Sequence, residues 1–301
     1  MAKKVPFRAG VHTSIAGGLP QAVALAEARG CDGFQIFARN PRGWLERPLS
    51  SEEIKGFRAA RERAGLWPFA IHSVYLINLA AQDPVVLARS RAAFRQEMER
   101  GIQLGADYLV VHPGNPKTAP SDCGIMTAIA SVREAARGLS LNGLSILIEN
   151  TAGQGSSIGC TFEQVADILA GLDDLPVGVC LDTAHTLAAG YDISTEAGLK
   201  ATVRAIDRSF GFDRVRLIHC NDSKAPLGSR VDRHQHIGLG HIGDGGFCRI
   251  TNNLKFRRIP FILETPVDQE RGDAENLARI RELAQSGIPK SDAGRSADRN
   301  A

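Results

Sequence analysis

The chain has 301 residues, 43% of them hydrophobic and 23% charged, a balance that fits a globular protein with a sizeable core and excludes a disordered or fibrous one. A formal net charge of +3 is too small to name a partner, and the six cysteines are scattered with no C-x-x-C pair, which reads as reduced thiols in a cytoplasmic protein. The basic start Met1-Ala2-Lys3-Lys4 is followed by no apolar signal segment, and no run approaches the ~20 apolar residues that span a bilayer, so no membrane association is expected.

A first strand is expected at residues 8–12 and a helix at 19–29. A second strand, 33–37, leads through Asn40-Pro41-Arg42-Gly43-Trp44 to a helix opened by Ser50 and Glu53, at the spacing of a capping box. After a third strand at 69–72, Asp83-Pro84 gives an N-cap and a proline at the first helical position, opening an amphipathic helix to about Leu104. A strand at 108–112 precedes a helix at 125–137, and a strand at 145–149 precedes one that Thr161 and Gln164 would open as a second capping box. Strands at 177–182, 216–219 and 260–264 then alternate with helices at 195–210, 247–255 and 274–285.

These strands are apolar throughout, as parallel strands buried on both faces are. Eight of them alternating with helices, with no break in composition, predict an α/β fold: a single (β/α)8 TIM barrel over residues 1–285. An open doubly wound sheet is the rival, and strands spaced ~25–45 residues apart favour closure. Residues 286–301 are polar and unpatterned, and are expected to form a disordered tail.

The chemistry is carried by the strand ends. Strands three to eight finish in His72, His112, Glu149, Asp182, His219 and Glu264, and a barrel of this kind brings its C-terminal strand ends to one rim, where active sites are built. Asp182-Thr183-Ala184-His185 adds an imidazole, and Asp232-Arg233-His234 adds a carboxylate and an imidazole in the long loop after strand seven. Any one of these histidines alone would read as an ordinary core or loop residue. Together they are four carboxylates and five imidazoles converging on one small volume, which is costly to bury without cations. Nine donors exceed the needs of one or two ions, since a catalytic zinc takes three protein ligands and keeps a position open. Three divalent ions against four carboxylates leave a surplus of about two positive charges to attract a phosphate. His12 ends strand one beside this set without being assigned as a ligand, and His236 and His241 read as loop histidines.

Three stretches carry a resemblance: residues 147–159 (LIENTAGQGSSIG), 178–192 (GVCLDTAHTLAAGYD) and 219–243 (HCNDSKAPLGSRVDRHQHIGLGHIG). They resemble the endonuclease IV family of apurinic/apyrimidinic (AP) endonucleases, the deoxyribonuclease IV class, over most of the chain. The resemblance implies a DNA repair phosphodiesterase that hydrolyses the backbone 5′ to abasic sites in duplex DNA and trims blocked 3′ ends. It implies three divalent ions, zinc with manganese admissible at one position, and metal-bound hydroxide as nucleophile with no protein nucleophile. His72, His112 and Glu149 would hold the first ion. Glu149 would bridge to the second, completed by Asp182, His219 and Glu264, and His185, Asp232 and His234 would hold the third. Glu149, Asp232, His234 and Glu264 would carry the catalytic roles.

The resemblance further implies that Arg42, Tyr75 and Leu76 enter the DNA at the lesion, while Lys224 and Arg230 are candidate phosphate contacts. Ala184 stands where the family commonly has cysteine, and Gly43 and Leu239 stand where relatives carry polar residues, which bears on DNA grip rather than chemistry. A monomer acting on damaged double-stranded DNA, without a nucleotide cofactor, is expected; the glycines at 153–159 lack dinucleotide-binding spacing. A sugar isomerase or epimerase would not need the trio His185, Asp232 and His234, and a non-catalytic DNA-binding barrel would not need nine donors.

Overall fold

The eight apolar runs become eight parallel strands of a closed barrel in the computed structural model, which describes residues 6–44 and 47–287. In chain order they are β1 (Ala9–His12), β2 (Phe34–Phe37), β3 (Phe69–His72), β4 (Tyr108–Val111), β5 (Ser145–Glu149), β6 (Val177–Asp182) and β7 (Val215–His219). A two-stranded ribbon, β8 (Asp222–Ser223) with β9 (His234–Gln235), precedes the last barrel strand, β10 (Phe261–Leu263). Each barrel strand pairs with its neighbour in sequence, and β10 closes the ring by pairing Ala9 with Phe261 and Val11 with Leu263. Of the tail expected at 286–301, residues 288–301 lie outside the described residues.

The helices α1 (Leu19–Ala28), α2 (Ser51–Ala64), α3 (Pro84–Leu104), α4 (Ser121–Ala136), α5 (Phe162–Ala170), α6 (Thr183–Ala188), α7 (Glu196–Ser209), α8 (Gly243–Asn252) and α9 (Asp273–Gln285) follow the strands. Among the described residues none is long and apolar enough to cross a membrane. Phenylalanines 34, 57, 69, 94, 162, 247, 256 and 261 are fully buried in the main core. A second, smaller cluster comprises Ala70, Val110, Leu147, Cys180, Leu217 and Ile262, one residue from each of six strands. Because side chains alternate along a strand, the residue two places further on faces the same way. Those residues are His72, His112, Glu149, Asp182, His219 and Glu264, so the apolar layer inside the barrel is the floor on which the polar ring stands.

The caps follow the sequence in two of three cases. Ser50 and Glu53 form the reciprocal capping box, and the Asp83 carboxylate accepts from the backbone N–H groups of Val85 and Val86, each cap contributing about 1 kcal/mol. At Thr161 only half of the expected box forms: its hydroxyl accepts from Gln164 N–H. The Gln164 carboxamide instead reaches back to accept from Gly159 N–H at 2.8 Å and Cys160 N–H at 3.2 Å, tying down the loop before the helix. Helix α8 begins four residues before the expected 247, in the weak helix-former Gly243-Asp244-Gly245-Gly246. Its first N–H groups are taken by Asp222, some twenty residues away: Ile242 N–H donates to Oδ1 at 2.9 Å and Gly243 N–H to Oδ2 at 3.2 Å.

Candidate metal centre

The rim holds all nine predicted donors together. Glu149 is the hub: its Oε2 lies 3.0 Å from His72 Nε2 and 3.1 Å from His112 Nε2, and its Oε1 lies 3.0 Å from His219 Nδ1 and 3.4 Å from His185 Nδ1. His219 Nδ1 is also 3.3 Å from Glu264 Oε2. His185 Nε2 lies 3.2 Å from Asp232 Oδ2, His234 Nε2 lies 3.5 Å from Asp232 Oδ1, and His234 Nε2 lies 3.7 Å from Asp182 Oδ2. Two ligands on a tetrahedral zinc, with bonds of ~2.0–2.1 Å, stand roughly 3.3 Å apart, which is the scale of these separations. Four groups have their ligating atoms within 4.8 Å of one another: His72/His112/Glu149; His72/His219/Glu264; Asp182/His185/His234; and Glu149/Asp182/His219/Glu264.

Local chain geometry explains how each donor is aimed. Asp182 ends β6 and is the N-cap of α6, its Oδ1 accepting from His185 N–H at 2.7 Å, so the strand turns straight into a helix carrying His185 on its first turn. Asp232 and His234 come from the loop after β7, held by the ribbon in which Ser223 pairs with His234. Asp222 anchors that loop, accepting from the N–H groups of Ser223, Gly238, Gly240, Ile242 and Gly243. At Gly240 a Cβ would stand 2.5 Å from Asp222 Oδ1, so only glycine fits there. Asn221 bridges two strand ends, donating to Asp182 Oδ2 at 2.7 Å and accepting from Glu264 N–H at 2.8 Å.

A main-chain carbonyl engages the second nitrogen of three of these imidazoles. His72 Nδ1 sits 2.7 Å from the Ser73 carbonyl, His185 Nδ1 2.9 Å from the Asn150 carbonyl and His234 Nδ1 3.2 Å from the Glu264 carbonyl. A carbonyl can only accept, so in neutral rings these Nδ1 atoms carry the proton and the Nε2 lone pairs face the centre. Nε2 of His185 and of His234 are buried with no hydrogen-bond partner, an arrangement that costs about 1–3 kcal/mol per group unless something binds there. The donors therefore fit cations.

Without cations the site is held by ion pairs. Burial opposes charge on Glu149, yet the charges of His112 and His219 keep its carboxyl well below the usual range. Burial likewise disfavours charged imidazoles, yet Asp182 and Asp232 beside His185, and Cys180, Glu264 and Glu149 beside His219, raise both rings well above the ordinary value. Against its burial, the neighbouring His185 brings Asp232 down to about 2.

Seven of the nine donors, all but Asp182 and His219, line a cavity of about 370 Å³ that is also lined by Phe37, Tyr75, Thr265 and Val267. Tyr75 is 74% exposed, its ring edge against Phe37 at 5.1 Å, whereas Leu76 is half-buried against the core. Arg42 lies on the loop after β2, and buried groups of α3 grip that loop. Arg100 donates to the Ala38 carbonyl at 2.9 Å and the Arg47 carbonyl at 2.6 Å, and Arg39 pairs with Glu97 at 2.8 Å. Lys224 and Arg230 are exposed on the loop that carries Asp232; Arg230 has a left-handed backbone, φ 55°, held by its N–H donating to the Ala188 carbonyl. His241 is exposed, while His236 is fully buried between Asp268 and Asn276.

Four polar residues of the site escape the strand-end reading: Gln35, Asn150, Asn221 and Asp222, all at most 2% exposed. Gln35 alone has a local signal, as the one polar residue in an apolar strand. It and His12 stand two places beyond Gly33 and Gly10, completing the ring of strand-end side chains.

A closed parallel barrel with clustered imidazoles and carboxylates on one rim defines a xylose isomerase-like TIM barrel, and the family model of that description matches residues 23–285. The probable endonuclease 4 of Solibacter usitatus is 48% identical over 286 residues, covering 94% of this chain and 99% of that protein. The probable endonuclease 4 of Methanoculleus marisnigri is 43% identical, covering 91% and 98%. The crystal structure of endonuclease IV from Thermus thermophilus matches with a TM-score of 0.81 at 40% identity, covering 92% of this chain and 98% of that one. The chain belongs to the endonuclease IV family. A D-psicose 3-epimerase matches with a TM-score of 0.65 at 13% identity, which shows the barrel alone.

Proposed function

We propose that this protein is a DNA repair endonuclease that hydrolyses the phosphodiester 5′ to abasic sites in duplex DNA and trims blocked 3′ ends, using three divalent cations. The observation that carries it is that His185 and His234, with Asp232 3.2 Å and 3.5 Å from their Nε2 atoms, lie beside the two groups that share Glu149. A one- or two-cation sugar isomerase has no use for that group.

His72, His112 and Glu149 would hold one cation, Glu149, Asp182, His219 and Glu264 a second, and His185, Asp232 and His234 the third. Zinc suits these nitrogen and carboxylate donors, and manganese is accommodated at one position. When bound, the cations supply Lewis acidity toward the phosphate oxygens and an attacking water. The chain's residues set the geometry of that reaction. Glu149 turns one oxygen to His72 and His112 and the other to His219 and His185, so it would be shared between two cations. Glu264 would help hold the second cation, and Asp232 and His234 would help hold the one that stabilises the departing 3′ oxygen. Arg42 and Tyr75, on two neighbouring rim loops, fill the gap left when the abasic nucleotide leaves the stack, with Leu76 supporting them. Lys224 and Arg230 contact backbone phosphates. The protein works as a monomer and takes no nucleotide cofactor.

The test is incision of a duplex oligonucleotide carrying one abasic analogue. Cleavage 5′ to the analogue, abolished by a chelator, is expected. Intact substrate with fully metal-loaded protein would overturn the proposal.

A further inference from the structure

Gln35 touches three members of the ring at once. Its Nε2 lies 2.7 Å from Glu264 Oε1 and 3.1 Å from His12 Nδ1, and its Oε1 lies 2.9 Å from His219 Nε2. The side chain is fully buried, so water does not substitute for these partners. We propose that Gln35 is a positioning residue of the metal centre, setting the tautomer of His219 and the orientation of Glu264 at the second cation position. This rests on the reading that His219 and Glu264 hold a cation.

Hydrogen-bond polarity fixes which way each group points. An ionised Glu264 can only accept, so the amide nitrogen of Gln35 must face it and the amide oxygen must face His219. That oxygen accepts from His219 Nε2–H, leaving the lone pair on Nδ1. Nδ1 is the atom 3.0 Å from Glu149 and 3.3 Å from Glu264, where the cation position lies. His219 is thus reversed relative to His72, His185 and His234, which present Nε2 and donate Nδ1–H to main-chain carbonyls. Those three are fixed by backbone that no substitution removes. At His219 the same task falls to a side chain, and the second N–H of its amide also faces His12 Nδ1. A ligand whose outer hydrogen bond is lost typically loses about 10–100-fold in metal affinity.

Two substitutions separate the roles. Gln35→Met keeps the length and volume and removes all three hydrogen bonds; Gln35→Glu keeps an acceptor for His219 and removes the donor to Glu264. Each full-length protein, loaded with zinc, is dialysed against graded chelator and its zinc counted, and the histidine ring nitrogens are read by 15N NMR. The wild type is expected to show His219 protonated at Nε2. Gln35→Met is expected to lose one zinc at about 10–100-fold lower chelator than the wild type, the other ions staying, with His219 divided between tautomers. Gln35→Glu is expected to keep the Nε2–H signal. Unchanged zinc retention and an unchanged His219 ring in Gln35→Met would overturn the proposal, as would loss of the Nε2–H signal in Gln35→Glu. Wild-type protein whose His219 and Glu264 bind no zinc would instead overturn the underlying assignment.

Discussion

Asp222→Asn tests how the third donor group is held, through a residue that touches no donor of the centre. The carboxylate is fully buried and accepts five backbone N–H groups, two on Oδ1 (Ser223 and Ile242) and three on Oδ2 (Gly238, Gly240 and Gly243). An amide in its place presents N–H to one of the two sets, so at least two buried donors lose their acceptor. At about 1–3 kcal/mol for each, and with the remaining bonds weakened by loss of charge, the substitution should cost about 3–5 kcal/mol. For a chain of 301 residues, with an unfolding entropy of roughly 0.6 kcal/mol/K, that corresponds to a fall of roughly 5–8 °C in melting temperature. The same loop carries Asp232 and His234, so the zinc count should fall by one while the ions at the other positions remain. Differential scanning calorimetry and metal analysis read both effects. A melting temperature within about 1 °C of wild type, with every ion retained, would mean that the five charge-assisted bonds to Asp222 contribute almost nothing and do not hold the loop.

Glu149→Gln and Glu264→Gln should each cut incision by orders of magnitude while leaving the circular dichroism spectrum unchanged; a wild-type rate in either would remove that residue from the centre. Tyr75→Ala should weaken binding to an abasic duplex by about 10–100-fold, the worth of about 1–3 kcal/mol of stacking, and change binding to intact duplex far less. Equal losses on both duplexes would make Tyr75 a general contact. Cations and protons compete for His185 and His219, whose pKa values are raised by neighbouring groups against the effect of burial. Rings raised in this way hold their protons to higher pH in the metal-free protein, so loading should release protons and weaken as pH falls. Calorimetry in buffers of different ionisation enthalpy reads that release, and its absence would contradict the ion-paired metal-free site.

The barrel is legible in the sequence because each strand is a local apolar run and six of the nine donors sit at strand ends, where the period of two fixes the facing. His72, His112, Glu149, Asp182, His219 and Glu264 can therefore be placed on one rim before any coordinates. What escapes is whatever depends on partners distant in sequence. Helix α8 starts in a glycine-rich segment because Asp222 caps it, and nothing near Gly243 announces that cap. The β8–β9 ribbon is two residues a side, too short to show periodicity. Helix α6 has six residues, all buried, and so lacks an exposed face to alternate with. Asn150 and Asn221 read as loop residues after a strand, and only the packed structure reveals that each braces Asp182.

Whether nine side chains build one centre for three divalent cations is read by metal analysis of the protein purified without added metal. Three ions per chain are expected, mainly zinc, with one lost selectively in His234→Ala. A single tightly bound ion per chain in the wild type would rule out a three-cation centre.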